Sequence, residues 1–223
     1  MRILITGTTG YIAKRLALQL LKNDHELVCC VRDMSRIPDE IEEHPNCTFI
    51  KVDFLEPETA KIPIDIDAAY YLIHSMSTTS DNDFETLEEQ CAQNFKSLVS
   101  TTTCQQVIYL SGIVNDDSLS KHLKSRLQVE NTLKSDAYAL TVFRAGIIVG
   151  SGSASFEIIR DIVEKLPIMV TPRWLNTKTQ PLGIRDVLTF LSGGLGKKEL
   201  YNKSYDIFGP EVLTYKEMLL QFA

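Results

Sequence analysis

Met1-Arg-Ile-Leu-Ile-Thr-Gly-Thr-Thr-Gly-Tyr-Ile-Ala13 opens the chain, and its reading decides the fold. Arg2 to Thr6 is a short apolar run with β-branched residues, the composition of a buried strand. Glycines follow at Gly7 and Gly10, and Ile12, Leu16 and Leu20 then recur at helical spacing. Strand, glycine turn and helix in that order give the glycines a phosphate-binding meaning. Gly7 can take backbone angles closed to other residues, and Gly10 lets the chain approach a pyrophosphate. N–H groups along Thr8, Thr9, Gly10, Tyr11 and Ile12, where the helix starts, then face the anion. Ala13 stands where a third glycine would, a position that needs only a small residue for helix–strand packing. An ordinary βα turn is the bland alternative, and the strand and helix on either side argue against it.

Working outward, the chain has the length and composition of one α/β unit. It has 223 residues, of which 44% are hydrophobic, enough for a sizeable core and too many for a disordered chain. Its net charge of −6 carries no basic block, which argues against a nucleic-acid surface. Cys29, Cys30, Cys47, Cys91 and Cys104 form no Cys-x-x-Cys and no Cys/His cluster, so neither a disulfide framework nor a metal site is expected. The chain starts on a strand with no secretory leader ahead of it. No apolar run approaches the ~20 residues that span a bilayer. A cytoplasmic protein of a reducing compartment, without a membrane partner, is the expectation.

Asn23-Asp24 breaks the first helix, and Glu26 to Val31 reads as a second strand, completing a βαβ unit. A short polar helix is predicted from Ser35 to Glu43, then strands at Thr48 to Val52 and Ala68 to Ile73. Phe84, Leu87, Cys91, Phe95 and Leu98 share one face of a helix from about Asp83 to Ser100. Val107 to Leu110, Leu119 to Ser135 and Leu140 to Phe143 read as strand, helix and strand. This alternation predicts a doubly wound parallel sheet, with residues 1–150 as the dinucleotide-binding core. Residues 151–223 read as a small substrate-side lobe: helices at Phe156 to Leu166 and Asp186 to Gly193, a strand at Tyr205 to Phe208, and a last helix. Thr214-Tyr-Lys-Glu217 has the capping-box form. The apolar residues Met218, Leu219, Leu220 and Phe222 of that helix need a partner, either within the lobe or in chain that continues beyond Ala223.

Thr6-Gly-Thr-Thr-Gly-Tyr-Ile-Ala13 resembles the Thr-Gly-x-x-Gly-x-x-Gly fingerprint of extended and atypical short-chain dehydrogenases/reductases. Val52-Asp-Phe-Leu55, Tyr71-Leu-Ile-His-Ser75, Leu110-Ser-Gly112 and Phe143-Arg-Ala-Gly-Ile-Ile-Val-Gly150 match further segments of that family in order and spacing. Thr171-Pro-Arg-Trp174 with Gln180-Pro-Leu-Gly-Ile-Arg-Asp186 resembles the nitrogen-metabolite-repressor-like subgroup, often described as sugar-nucleotide epimerases. The resemblance implies a Rossmann fold and a nicotinamide dinucleotide. It implies that Asp53 and Phe54 lie at the adenine, that His74 and Ser75 run beside the cofactor, and that Arg144, Ala145 and Gly146 close over the nicotinamide. It implies further that Ser111 contacts a substrate carbonyl.

An acidic residue about 20 positions past the glycines would take the ribose hydroxyls of NAD. Here the second strand ends Val31-Arg32-Asp33, where Arg32 can pair bidentately with a 2′-phosphate and Asp33 is the counter-signal. NADP is favoured over NAD. The family's active enzymes carry Tyr-x-x-x-Lys on the helix after the fifth strand, and this chain has none. His122-Leu-Lys-Ser-Arg126 stands in its place. His122 can donate a proton near neutral pH and Arg126 can hold the ribose. Equally, His122 can be a surface histidine, with Arg126 paired to Glu130 one turn on. The expectation is an NADP-dependent reductase or epimerase, with a non-catalytic NADP-binding sensor as the alternative.

Overall fold

The structure is a computed structural model describing residues 1–57, 60–73, 84–114, 121–165 and 173–222. In chain order the elements are β1 (Arg2–Ile5), α1 (Tyr11–Leu21), β2 (Glu26–Val31), α2 (Asp39–Glu42), β3 (Cys47–Lys51), β4 (Ala68–Tyr71), α3 (Phe84–Val99) and β5 (Gln106–Gly112). They continue as α4 (Lys121–Thr132), β6 (Ala139–Ala145), β7 (Ile148–Val149), α5 (Ala154–Lys165), β8 (Lys178–Thr179), β9 (Leu182–Gly183), α6 (Ile184–Gly193), β10 (Lys203–Ile207), β11 (Leu213–Thr214) and α7 (Tyr215–Phe222).

Seven parallel strands form the sheet, in the order β10-β6-β5-β4-β1-β2-β3. The chain winds from β1 outward to β3 and then returns to β4 on the other side of β1. The two windings therefore diverge between β1 and β4, and at the carboxyl end of such a switch a ligand crevice opens. Helices cover both faces, which explains why the strands read as apolar runs rather than alternating ones. Ile3 and Ile5 point into the core under α1 and α6, while Leu4 points into the core under α3 and α4. This is the Rossmann architecture that the opening stretch predicts.

Two buried polar contacts join the sheet to α6. The Tyr70 hydroxyl donates to Leu191 O at 2.9 Å. Gln106, 1% exposed, donates to Thr141 Oγ1 at 2.9 Å and Gly194 O at 3.0 Å. Thus β10 and α6, both from the later third of the chain, complete the main sheet and its cover.

The helix expected over Ser35 to Glu43 is instead a 3-10 turn at Met34–Arg36 followed by the single turn of α2. Pro38 is the reason: it disfavours helical angles at Ile37 and starts α2 as its N-cap. The predicted capping box of the last helix forms, with Thr214 N donating to Glu217 Oε2 at 2.7 Å and Glu217 N to Thr214 Oγ1 at 3.1 Å. α7 buries Met218 and Leu219 against α5 and a 3-10 turn at Arg173–Asn176, and leaves Leu220 66% exposed. No helix among the described residues is long and apolar enough to cross a membrane.

Candidate functional site

β1 delivers the chain to the switch point, and Gly7 turns it there with φ +66°. A Cβ on Gly7 would sit 2.4 Å from Leu72 O, so both the angle and the space demand glycine. Gly10 N donates to Gly7 O at 2.7 Å, closing the turn. Gly10 then starts α1, and no side chain caps the helix. The N–H groups of the first turn, Tyr11 and Ile12 among them, are thus left for an external acceptor. The helix dipole gives that end a partial positive charge.

The two threonines around Gly7 hold the loop from beneath. Thr6 Oγ1 donates to Tyr70 O at 3.2 Å and accepts from Leu72 N at 2.9 Å, locking β1 to β4. Thr8, fully buried, directs its hydroxyl to Ile5 O at 3.2 Å and Cys30 O at 3.4 Å. What Thr8 can offer an anion is therefore its backbone N–H. Thr9 is exposed beside it. The Tyr11 ring lies under the Arg15 guanidinium at 3.9 Å, and Arg15 reaches Ser151 O at 3.0 Å. Ile12 packs onto the core beneath α1.

At the carboxyl ends of β2 and β3, Arg32 is exposed just past Val31. The Asp33 carboxylate accepts from Ser35 N at 3.0 Å and Ser35 Oγ at 2.8 Å. These bonds, with the charges of Arg36 and Lys51, hold its pKa below the usual carboxylate range. Asp53 Oδ1 accepts from Leu55 N at 3.0 Å in its own turn. Phe54 is 4% exposed and packs on Phe95 at 5.8 Å, so its ring is core.

The third part of the site is where β5, β6 and α4 meet. Ser111 pairs in register with Arg144, which places both side chains on the face covered by α4. The Arg144 guanidinium is held there by Glu130 through two hydrogen bonds, at 2.8 and 3.1 Å. Glu130 thus engages Arg144 of β6 from the helix that covers this face. Ala145 is 5% exposed and Gly146 is exposed at the strand's end, so this segment turns backbone toward the crevice. Ser111 Oγ, on a residue 5% exposed, is buried without a hydrogen bond among the described residues. Tyr109, two residues earlier on the same face, is 1% exposed, and burial raises the pKa of its hydroxyl while the Arg126 charge opposes the rise. Beside them Glu88 of α3, 5% exposed, accepts from Ser125 Oγ of α4.

Sequence reasoning named Ser111 and Arg126 but missed Tyr109 and Glu88. A tyrosine within an apolar strand and a glutamate within a long helix read as packing and as surface. His74, Ser75 and the side chain of His122 lie outside the described residues, as does the Trp174 side chain. No group of three or more His, Cys, Asp or Glu among the described residues is placed to hold a metal ion.

The NAD(P)H-binding family matches residues 7–153. UDP-glucuronic acid 4-epimerase from Bacillus cereus, solved in complex with NAD, superposes with a TM-score of 0.81 at 20% identity, over 100% of this chain and 82% of that one. UDP-glucose 4-epimerase from Thermotoga maritima, solved with UDP-glucose, gives 0.77 at 11% identity, over 99% and 81%. The photosystem II assembly factor Ycf39 of Trieres chinensis is 24% identical over 223 residues, 98% of this chain and 67% of that protein.

Proposed function

The chain belongs to the NAD(P)H-binding family, and from that premise we propose that it is an NADP-dependent reductase or epimerase acting on a carbonyl or sugar-nucleotide substrate. The single observation behind the proposal is the uncapped start of α1 behind a glycine that no other residue can replace. The residues present fit a dinucleotide. The backbone of Gly7 to Ile12 receives the pyrophosphate, and Asp53 and Phe54 border the adenine. The Arg144-Ala-Gly146 backbone flanks the nicotinamide half, the part of the cofactor to which the family resemblance also assigns His74 and Ser75.

Preference for NADP rests on Arg32. Asp33, the acid that would otherwise take the ribose hydroxyls, is engaged by Ser35. Arg36 and Lys51 add positive charge at the same rim. Calorimetric titration tests this: Arg32→Ala is expected to weaken NADP(H) about ten- to a hundredfold, the scale of hydrogen bonds to a charged group, and NAD(H) little. Equal loss for both nucleotides would sink the assignment.

When bound, the nicotinamide supplies or accepts a hydride. His122 gives a proton to the substrate oxygen, Ser111 orients that oxygen, and Arg126 holds the ribose. Positioned proton transfer contributes about a hundred- to ten-thousandfold, so His122→Ala is expected to cut turnover on that scale with cofactor affinity retained. A second reading, a non-catalytic NADP-binding regulator, is favoured by the missing Tyr-x-x-x-Lys. It stands if NADPH binds and no carbonyl compound is ever reduced.

A further inference from the structure

Cys29 of β2 and Cys47 of β3 hold their sulfurs 3.5 Å apart, a direct contact between two free thiols. Sheet register puts them there. In the parallel pairing Cys29 stands opposite Phe49 and Cys47 opposite Leu27, so the cysteines are diagonal neighbours. Both pack against the core under α1 and α6. Cys30 is one position nearer to Cys47 in sequence, yet strand alternation turns it to the other face. Cys91 and Cys104 lie in that second core too. The fold thus pairs Cys47 with Cys29 and keeps the other three thiols across the sheet.

The two sulfurs differ in access and in freedom to move. Cys29 is buried within β2, whereas Cys47 is half-buried and begins β3. β3 lies at the edge of the sheet, and among the described strands it pairs with β2 alone. A disulfide is ~2.05 Å long with its Cα atoms ~4.4–6.8 Å apart, and diagonal neighbours on paired strands start from about 7–8 Å. Closing the bond therefore requires the start of β3 to shift by roughly an ångström. An edge strand can make that shift without breaking a ladder on its far side. The contact with Cys29 also favours the thiolate of Cys47, the form that attacks an oxidant.

We propose that Cys47 and Cys29 form a reversible oxidation site, in which hydrogen peroxide oxidises Cys47 and Cys29 resolves the product into a disulfide within the chain. In the first step the Cys47 thiolate sulfur attacks one peroxide oxygen. The S–O bond forms, the O–O bond breaks, and the departing hydroxide takes a proton to become water, leaving Cys47 as a sulfenic acid. In the second step the Cys29 sulfur attacks the sulfenic sulfur. The S–S bond forms, the S–O bond breaks, and the Cys29 proton leaves with the hydroxyl as a second water. Two thiols lose two electrons and two protons, and one peroxide becomes two waters. Because Cys29 is already in contact, it captures the sulfenic acid before further peroxide carries Cys47 to the irreversible sulfinic acid. A bond that needs backbone movement to close is also readily reduced, so a dithiol restores both cysteines.

The test treats the whole native chain with equimolar hydrogen peroxide, then denatures it, blocks the remaining thiols with N-ethylmaleimide and maps the peptides without reduction. The expected main product links Cys29 to Cys47, with Cys30, Cys91 and Cys104 blocked as thiols and the link lost on adding dithiothreitol. The same treatment in urea should lose the choice of Cys29 over Cys30, since only the folded sheet turns those two apart. Cys29→Ala removes the resolving thiol, and Cys47 should then accumulate as the sulfenic acid, read as a dimedone adduct. Cys47→Ala should leave Cys29 reduced, because the buried sulfur is not reached directly. A wild type in which Cys47 stays reduced, or takes dimedone as fully as the Cys29→Ala variant, overturns the inference. So does a link between two chains, a bond from Cys47 to Cys30, or the same Cys29–Cys47 preference in urea.

Discussion

The Arg144 guanidinium of β6 closes on the Glu130 carboxylate of α4 through two hydrogen bonds, Nη2 to Oε1 at 2.8 Å and Nε to Oε2 at 3.1 Å. Ser204 Oγ of β10 adds a third to Oε1 at 2.8 Å, so one carboxylate ties two strands to a helix. The Glu130 side chain is 4% exposed and that of Arg144 is 24% exposed. Pairing also raises the Arg144 pKa, first through the hydrogen bonds it donates to Glu130 and, against the opposing effect of burial, through the charges of Glu130 and Asp206.

Removing one partner of such a pair leaves the other charge desolvated. Glu130→Ala is expected to cost about 3–5 kcal/mol, discounted toward the lower figure because Arg144 keeps some access to water. Glu130→Gln, which retains the shape and one acceptor, should cost less. Chemical denaturation measures both, and a loss for Glu130→Ala no larger than that of an exposed ion pair would show that the clamp carries no weight.

Gly7→Ala confronts two obstacles together, a positive φ and a carbonyl oxygen 2.4 Å from the new carbon. Relief requires β1 or the end of β4 to move, and the loop's N–H groups move with them. Nicotinamide nucleotide binding is expected to be lost, with stability reduced by at least the ~1 kcal/mol of a strained left-handed residue. Calorimetric titration checks this, and unchanged affinity would remove the loop from the site.

What could be read in advance followed from local necessity. Gly7 and Gly10 carry information because the turn admits nothing else, and the alternation of apolar runs with helical spacing dictates a parallel sheet. Pro38 lies within the stretch Ser35 to Glu43 where a single helix is expected, and it splits that stretch into a 3-10 turn and the short α2. Residues whose role depends on a distant partner were not legible. Arg144 reads from its motif as a cofactor neighbour, but its guanidinium is set by Glu130, on another element. Tyr109 reads as core, and its ring is core.

Alkaline pH should unfold the protein through its buried weak acids. Burial pushes the Cys91 thiol up to about 11 and Cys104 up to about 12. Tyr70, Tyr71, Tyr109 and Tyr138 are also raised, in each case chiefly by burial. A folded-state pKa above the unfolded value means stability fully present below the unfolded pKa and lost as pH climbs through the folded one. For the thiols that window runs from their ordinary value of 9.0 to about 12. Thermal unfolding followed across this range is expected to show a falling Tm, and Cys104→Ala should flatten part of the slope. A Tm constant from neutral pH to the top of the window would refute the account.

The thiols differ in reach, which allows a sharper test. Cys29 of β2 and Cys47 of β3 have their sulfurs 3.5 Å apart. Cys29 is buried, and its pKa is raised by the contact with Cys47 first and by burial second. Cys47 is half-buried, and the hydrogen bond from Cys29 lowers its pKa against the opposing effect of burial. Cys29 therefore stays a thiol that donates, and Cys47 becomes a thiolate at lower pH than an isolated cysteine. Because the thiolate is the nucleophile, iodoacetamide in less than molar equivalence should mark Cys47 ahead of Cys30, Cys91 and Cys104, which are both buried and raised. The alkylation rate should rise with pH and level off below the ordinary thiol value of 9.0. Cys29→Ala removes the donor and should move that inflection upward while leaving Cys47 just as accessible. Peptide mapping of the native protein decides it: equal labelling at all five positions, or an inflection unmoved by Cys29→Ala, would show that the sulfur pair has no influence on the reactivity of Cys47.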